Sequence, residues 1–266
     1  MGPPIVNRVP SCPTTTPWSP WSGAAPDRPP VPTVRRLAAV TPSSPATGLA
    51  VAHLFWTAEP GADRAAIIAA IDEVASGEDQ VVTVSILGHH SDLCTMLLVR
   101  DQWTIRRFQT RLAAAGLLLV DSYLSLTELS EYAQGVPEPM KQARLYPQLP
   151  PPEKPAFCFY PMSKRRTADA NWYRLPFEER EALMREHGAS GRAFAGRVVQ
   201  LITASTGLDD DEWAVTLFCQ HPDDVKEVVY TMRFDEASAV YAEFGRFVVG
   251  MIAEPGDALD SIGVAG

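Results

Sequence analysis

The stretch CFYPMSKRR, residues 158–166, places a phenol, a thioether and an ammonium group at alternate positions of a predicted strand. Side chains at i, i+2 and i+4 of a strand share one face, so Tyr160, Met162 and Lys164 are expected to point the same way. Such a face suits a large flat π-system that carries carboxylates. The alternative is a strand that ends at the rim of the fold, with Lys164 simply in water.

A helical pattern begins at Pro176 in PFEEREALMREHG, and His187 is predicted to end that helix. Leu183 and Met184 precede His187 by three to four residues and therefore share its apolar side. A neutral imidazole nitrogen in that position could bind a haem iron as an axial ligand, although a packed histidine without a ligand fits equally well. Gly188 would either admit a flat macrocycle or cap the helix C-terminus.

Three further polar residues stand out in the second half of the chain. Gln200 interrupts the apolar alternation of RVVQLIT, and a buried amide there would need a ligand, water or backbone partner. Arg233 and Ser238 lie in TMRFDEAS, within a helix or at a bend. Arginine is a natural bidentate partner for a ligand carboxylate, but an ordinary ion pair of Arg233 with Asp235 or Glu236 is equally consistent with the sequence.

Composition narrows the classes of protein. The chain has 266 residues, 46% of them hydrophobic, which suffices for one large or two small cores. A formal net charge of −9 argues against general nucleic-acid binding. Four scattered cysteines without a CxxC pair favour a reducing cytoplasm over a disulfide framework or a zinc site, and no apolar stretch reaches transmembrane length.

Composition also divides the chain into segments. Residues 1–45 hold 12 of the 24 prolines and are predicted to form a disordered tail, because they cannot bury enough apolar surface to offset ordering. The alternative for this segment is translation that starts upstream of the true domain. A first folded half is expected over 46–134 and a second over 157–254. Residues 135–156 form a proline-rich linker, and 255–266 a C-terminal tail.

The order of predicted elements is β-α-β-β-α-β in each half, which is the ferredoxin-like unit. The sequence therefore predicts an α+β fold in which two tandem ferredoxin-like repeats form a barrel-like sheet around one interior, with the helices outside. Arg144 and Tyr146 are unusual residues for a spacer, which suggests that the linker lies over a pocket.

Several long motifs carry a family resemblance. CFYPMSKRR, NWYRLPFEER, LMREHGASGR, QLITASTGLDDDEWAVTLF and MRFDEASAVYAEFG together resemble the chlorite dismutase-like haem family, over about residues 49–252. The resemblance implies two ferredoxin-like repeats and a homopentamer. In the most similar branch it implies oxidative decarboxylation of coproheme (Fe-coproporphyrin III) to haem b by hydrogen peroxide, with coproheme as both substrate and redox cofactor. A coproporphyrin ferrochelatase would act upstream as donor.

The same resemblance implies roles for individual residues. His187 would be the proximal iron ligand, and Tyr160 the redox-active tyrosine whose radical starts decarboxylation. Lys164 would contact the reacting propionate and assist proton transfer, Met162 would line the pocket, and Gln200 would be the distal residue. The other propionates would be held by Arg144, Arg233 and Ser238.

Alternative activities remain open at this point. Chlorite dismutases proper have a distal arginine, so Gln200 argues against chlorite dismutation and leaves a general peroxidase reaction. A haem carrier without turnover is a third hypothesis, although simple binding does not need the phenol of Tyr160. The chain departs from the family pattern at Ala204 and Val240, neither of which is assigned to the chemistry.

Overall fold

The computed structural model describes residues 41–88 and 90–265, so most of the predicted N-terminal tail lies outside the described residues. The strands are β1 (Ala50–Ala58), β2 (Gln80–Leu87), β3 (Leu93–Val99), β4 (Leu117–Thr127), β5 (Ala156–Lys164), β6 (Val198–Ala204), β7 (Trp213–Cys219), β8 (Ala242–Phe244) and β9 (Val248–Ile252). The helices are α1 (Arg64–Ala75), α2 (Gln102–Ala114), α3 (Glu138–Leu145), α4 (Phe177–Arg192), α5 (Pro222–Met232), α6 (Glu236–Ala239) and α7 (Pro255–Ser261).

Eight of the nine described strands close into an antiparallel ring in the order β7-β6-β4-β1-β3-β2-β9-β5, with β5 pairing back to β7. One half contributes β4-β1-β3-β2 and the other β6-β7-β5-β9, and the halves meet where β4 pairs with β6 and β2 with β9. The short strand β8 continues beside the last residues of β5. The predicted α+β fold with two ferredoxin-like repeats is therefore confirmed.

The interior of the ring is an apolar core that both halves share. Val51 and Met96 from the first half pack in the same cluster as Phe157 and Phe218 from the second. Two outer layers complete the molecule. The first half's sheet packs on α1, α2 and α7, and the second half's sheet packs on α5.

Strand β5 alternates between these layers, as its sequence predicts. Phe157 and Phe159 belong to the interior cluster, whereas Cys158 and Tyr160 belong to the outer cluster beside α5, with Met162 packed against it. Period-two alternation thus directs the even-numbered side chains of β5 to one outer face. We call this surface, with the outward side chains of β6 and β7, the outer face of the second sheet.

Helix boundaries agree with the sequence in α2 and differ in α4. In α2, Asp101 accepts a hydrogen bond from the Trp103 amide as N-cap, and Gly116 follows the helix with a φ of +91°. Helix α4 does not end at His187, because it continues through Gly188 to Arg192. Glycine within a helix costs only about 1 kcal/mol relative to alanine, so it weakens a helix without ending it.

Three elements were not among those predicted. Helix α3 lies in the proline-rich linker, β8 follows α6, and α7 lies in the predicted C-terminal tail. Helix α7 contributes Ala258 and Leu259 to the core with α1 and α2. In the part of the chain that the structure describes, no helix combines the length and apolar character needed to cross a membrane.

Candidate active site

Tyr160 lies on the outer face of the second sheet with only 7% of its surface exposed. The ring of Phe247 stacks on it with centroids 4.4 Å apart, and Phe244 contacts it edge-on at 5.9 Å. Burial raises the pKa of the phenol, the nearby Cys158 thiol raises it further, and the cation of Arg233 opposes both. The phenol therefore stays protonated at neutral pH and can give up its hydrogen only with an electron or to a strong base.

Lys164 lies at the end of the same strand and is buried, with 8% exposure, so the alternative of a solvated strand-end lysine is wrong. Its Nζ donates a hydrogen bond of 2.8 Å to the Ala237 carbonyl and lies 4.1 Å from the centroid of the Trp172 ring. Burial lowers the pKa of Lys164 to about 8, although the carboxylates of Asp235 and Glu212 favour the charged form.

His187 is fixed by a buried carboxylate. Its Nδ1 lies 3.1 Å from each carboxylate oxygen of Asp235 and 3.4 Å from Ser238 Oγ. Asp235 is in turn held as the N-cap of α6, where it accepts a hydrogen bond from the Ser238 amide. A proton on Nδ1 facing the carboxylate leaves the lone pair of Nε2 for a metal, which is the usual arrangement of a histidine ligand.

Helix α4, which carries His187, packs against α5 and α6 and has no buried residue among its sixteen. Leu183, Met184 and His187 on one side of α4 are only half-buried. The outer face of β6 likewise leaves Ile202 and Gln200 exposed. Leu183 and Met184, on the same side of α4 as the fixed imidazole, thus leave an apolar surface accessible to a flat macrocycle.

Gln200 was expected to be buried, and this expectation is wrong. Its side chain lies on the outward side of β6. Helix α5 packs on β5 and β7 and does not bury Gln200 there. The register joins Gln200 to Leu217 and Leu217 to Cys158 across the second sheet. Gln200 therefore lies on the outer face two strands from Cys158, and about 12 Å from Tyr160, which is two residues further along β5.

The remaining predicted residues divide into two groups. Met162 is half-buried and in register with Trp213 and Phe244 on that face. Arg233 ends α5 with its guanidinium carbon 5.0 Å from the Phe244 ring centroid. Neither alternative ion pair of Arg233, with Asp235 or with Glu236, is present among the described residues, and Asp235 contacts His187 instead.

Arg144 makes no described contact with the other predicted site residues. It is exposed in the last turn of α3, and within the described residues it makes no hydrogen bond or ion pair. The end of α3 is tied instead to the first half, since the Leu145 carbonyl accepts a hydrogen bond from Thr127 and the Tyr146 hydroxyl accepts one from the Gly48 amide.

Sequence reasoning missed two functional candidates, Asp235 and Trp172. Asp235 was considered only as an arginine partner, although an aspartate just before a short helical segment is a typical N-cap. Trp172 begins a 3₁₀ turn whose N-cap Asn171 accepts a hydrogen bond from the Tyr173 amide. No local signal places this indole over Lys164, because the contact depends on the return of the chain after β5.

The donor set fits an iron porphyrin. Within residues 41–88 and 90–265 no group of three or more His, Cys, Asp or Glu side chains could hold a metal ion by itself. A porphyrin supplies four nitrogen ligands, so a single oriented imidazole such as His187 is sufficient. Lys164 and Arg233 are cations of the kind that pairs with carboxylates.

Comparison with known proteins agrees with the fold. The family model described as chlorite dismutase matches residues 63–253, and the chain belongs to the chlorite dismutase family. The coproheme decarboxylase of Staphylococcus carnosus is 39% identical over 225 residues, which cover 75% of this chain and 90% of that protein. A putative haem-binding protein of Natronomonas pharaonis is 40% identical over 204 residues, or 70% of this chain, but the match spans only 34% of that protein.

Solved structures give the same picture. A haem-binding protein from Thermus thermophilus superposes with a TM-score of 0.72 at 33% identity, covering 81% of this chain and 94% of that one. A chlorite dismutase variant from Candidatus Nitrospira defluvii superposes with a TM-score of 0.66 at 21% identity over 81% and 96% of the two chains. The latter likeness concerns the fold alone.

Proposed function

We propose that this protein binds coproheme and uses hydrogen peroxide to convert it to haem b by oxidative decarboxylation of two propionates. The observation that carries the proposal is the combination on one face of the fold of Tyr160, Lys164 and an imidazole fixed by Asp235. The S. carnosus relative supports it, because that protein is a coproheme decarboxylase and is similar over most of this chain.

Each residue has a distinct part in this proposal. His187 holds the iron through Nε2, while Asp235 keeps its Nδ1 protonated and the ring oriented. The bound iron porphyrin supplies the redox chemistry by which peroxide becomes an oxidising equivalent. Tyr160 would lose one electron and its phenolic proton, and then take a hydrogen atom from the propionate chain beside it. The resulting carbon radical would give up one further electron as CO₂ leaves and the vinyl group forms, so that the two electrons removed equal the two that one H₂O₂ accepts. Lys164 pairs with the carboxylate of that propionate and holds a proton at Nζ.

The remaining predicted site residues are proposed to bind the porphyrin and to determine which oxidant reacts. Arg233, Ser238 and the exposed Arg144 are proposed to hold further propionates. Met162 offers a soft, apolar contact to the macrocycle. Gln200 is proposed to face the peroxide side, and its neutral amide in place of a distal arginine disfavours chlorite dismutation.

Mass spectrometry of the porphyrin tests the proposal. The purified protein is loaded with iron coproporphyrin III, and hydrogen peroxide is added in steps. Each propionate that becomes a vinyl group releases one CO₂ and consumes one H₂O₂, which is reduced to two waters. The proposal expects two successive losses that end at the mass of haem b.

A haem carrier without turnover is the second candidate, because two of the similar proteins are named for haem binding. Tight binding of iron coproporphyrin III with no change in its mass would contradict the decarboxylase and leave the carrier. The homopentamer, the cytoplasmic location and a ferrochelatase donor belong to the same proposal. Light scattering coupled to gel filtration tests the pentamer, for which five times the chain mass of 29.0 kDa is expected.

A further inference from the structure

The ammonium group of Lys164 is held from two sides by elements that are distant in sequence. Its Nζ donates to the Ala237 carbonyl of α6 at 2.8 Å, and the face of Trp172 lies 4.1 Å away. Lysine Nζ carries three hydrogens, and within the described residues Nζ has no other hydrogen bond and no ion pair within 4 Å. A further N–H is thus available to a ligand.

Trp172 is itself firmly placed. Only 3% of its surface is exposed, its backbone amide donates to the Arg165 carbonyl at 3.0 Å, and its ring contacts Tyr241 edge-on at 5.6 Å. The chain therefore turns back after β5 and places the indole against the ammonium group of Lys164, the last residue of the strand. A cation over an aromatic face in a desolvated setting is a favourable contact of the kind that fixes a side chain.

The carboxylates around Lys164 do not hold its ammonium group in place of Trp172. Asp235, at the start of α6, is engaged by His187, and Glu212, before β7, accepts a hydrogen bond from the Lys164 backbone amide and lies 3.6 Å from Arg166. Tyr173 on the 3₁₀ turn interacts with Glu212, and Glu243 on β8 pairs loosely with Arg165. The carboxylates nearest to Lys164 are therefore shared with other partners.

We propose that Trp172 is a positioning residue for Lys164: its indole face and the Ala237 carbonyl hold the ammonium charged and aimed, so that a remaining N–H binds a carboxylate of an anionic ligand on the outer face. The inference rests on the proposed function only for the identity of that ligand as a porphyrin propionate. The electrostatic part concerns the protein alone.

Site-specific fluorination of Trp172 tests the electrostatic part without changing the shape of the ring. Added fluorines weaken the negative face of the indole in steps. The chain contains only four lysines, Lys141, Lys154, Lys164 and Lys226, so that four ¹³Cε signals of labelled lysine can be followed by NMR against pH. A Lys164→Arg variant assigns the signal of interest.

The wild-type titration of Lys164 is expected near pH 8. With each added fluorine its acid dissociation constant should rise, by about tenfold over the full series, because the charged form loses its aromatic partner. The same series at Trp56, which is equally buried but packs in the core with α1 and α2, should leave Lys164 unchanged. An unchanged Lys164 titration, or an equal response to both tryptophans, would overturn the inference.

A binding measurement tests the aiming of Lys164. Affinity for iron coproporphyrin III should fall several-fold along the Trp172 series, whereas affinity for its tetramethyl ester should not change. An equal loss for both ligands would overturn the positioning role. Because the titration uses no porphyrin, its outcome stands even if the protein fails to decarboxylate coproheme, and the proposed function stands if the titration fails.

Discussion

The phenol of Tyr160 and the ammonium of Lys164 share one face of β5 but lie in different settings. Aromatic rings surround the phenol, which makes no hydrogen bond within the described residues, whereas the ammonium has a carbonyl and an indole. The two groups are four residues apart on a strand, or about 13 Å along it, so a propionate chain must bridge part of that gap. The chemistry of the two groups therefore suits different roles: loss of an electron for the Tyr160 phenol, and pairing with a carboxylate for the Lys164 ammonium.

Replacing Tyr160 with Phe gives the first prediction. The ring contacts with Phe244 and Phe247 survive, so binding of iron coproporphyrin III should change by less than about threefold. Loss of CO₂ on addition of peroxide should become undetectable, because the oxidisable hydroxyl is gone. Binding is followed by the porphyrin absorption band and turnover by mass spectrometry, and normal decarboxylation by the variant would remove Tyr160 from the mechanism.

His53 is a buried titratable residue that the proposed chemistry does not use. It lies inside the ring of strands, where Nε2 is 2.9 Å from Thr216 Oγ1, Phe159 packs on the imidazole at 4.3 Å and Nδ1 has no partner among the described residues. Burial lowers its pKa to about 3. The unfolded chain takes up a proton below about pH 6.5, which the folded protein resists until about pH 3.

A pH-dependent loss of stability follows from His53. Its contribution is fully present above pH 6.5 and is lost as the pH falls toward 3, so the free energy of unfolding should decrease by about 2 kcal/mol between pH 7.5 and 5 from this group alone. Urea unfolding of wild type and His53→Gln at both values measures the difference. Whatever its absolute stability, the variant should lack the part of the decrease in unfolding free energy that comes from His53. Equal decreases in the two proteins would contradict the prediction.

At the scale of elements, the sequence correctly predicted the features that depend on a local pattern of residues. Alternation along β5 and the N-cap of α2 were correct because each depends on residues within a few positions. The burial of Lys164 and the role of Asp235 could not be predicted, since they depend on contacts with Trp172, Ala237 and His187 that tertiary folding brings together. The exposure of Gln200 likewise depends on which strands α5 covers.

Helix α4 is expected to be held weakly in the protein without ligand. It buries no residue, whereas α2 buries Ile105, Phe108 and Leu112 against the first half's sheet. Helices with few buried contacts open locally at low cost, so α4 amides should exchange with solvent deuterium faster than those of α2. Loading with iron coproporphyrin III should slow exchange in α4 and leave α2 unchanged, and equal protection of both helices before loading would contradict this expectation.

At the scale of the whole molecule, the two halves share one interior. Val51 and Met96 pack with Phe157 and Phe218, so neither half can bury its inner face alone. We expect a single cooperative unfolding transition, with coincident far-ultraviolet circular dichroism and tryptophan fluorescence curves. Two separated transitions would indicate that the halves fold independently.

The closed ring also has a consequence for self-association. The ring closes unevenly, because β4 pairs with β1 along most of its length but with β6 only at Leu126 and Thr127, so residues 117–125 leave one side of β4 without a partner strand among the described residues. Margins of that kind recruit strands from other chains and seed aggregates. Residues 117–125 of β4 are therefore the part of the ring at which the backbone of a second copy could add a strand, whereas contacts elsewhere on the ring would have to be made by side chains.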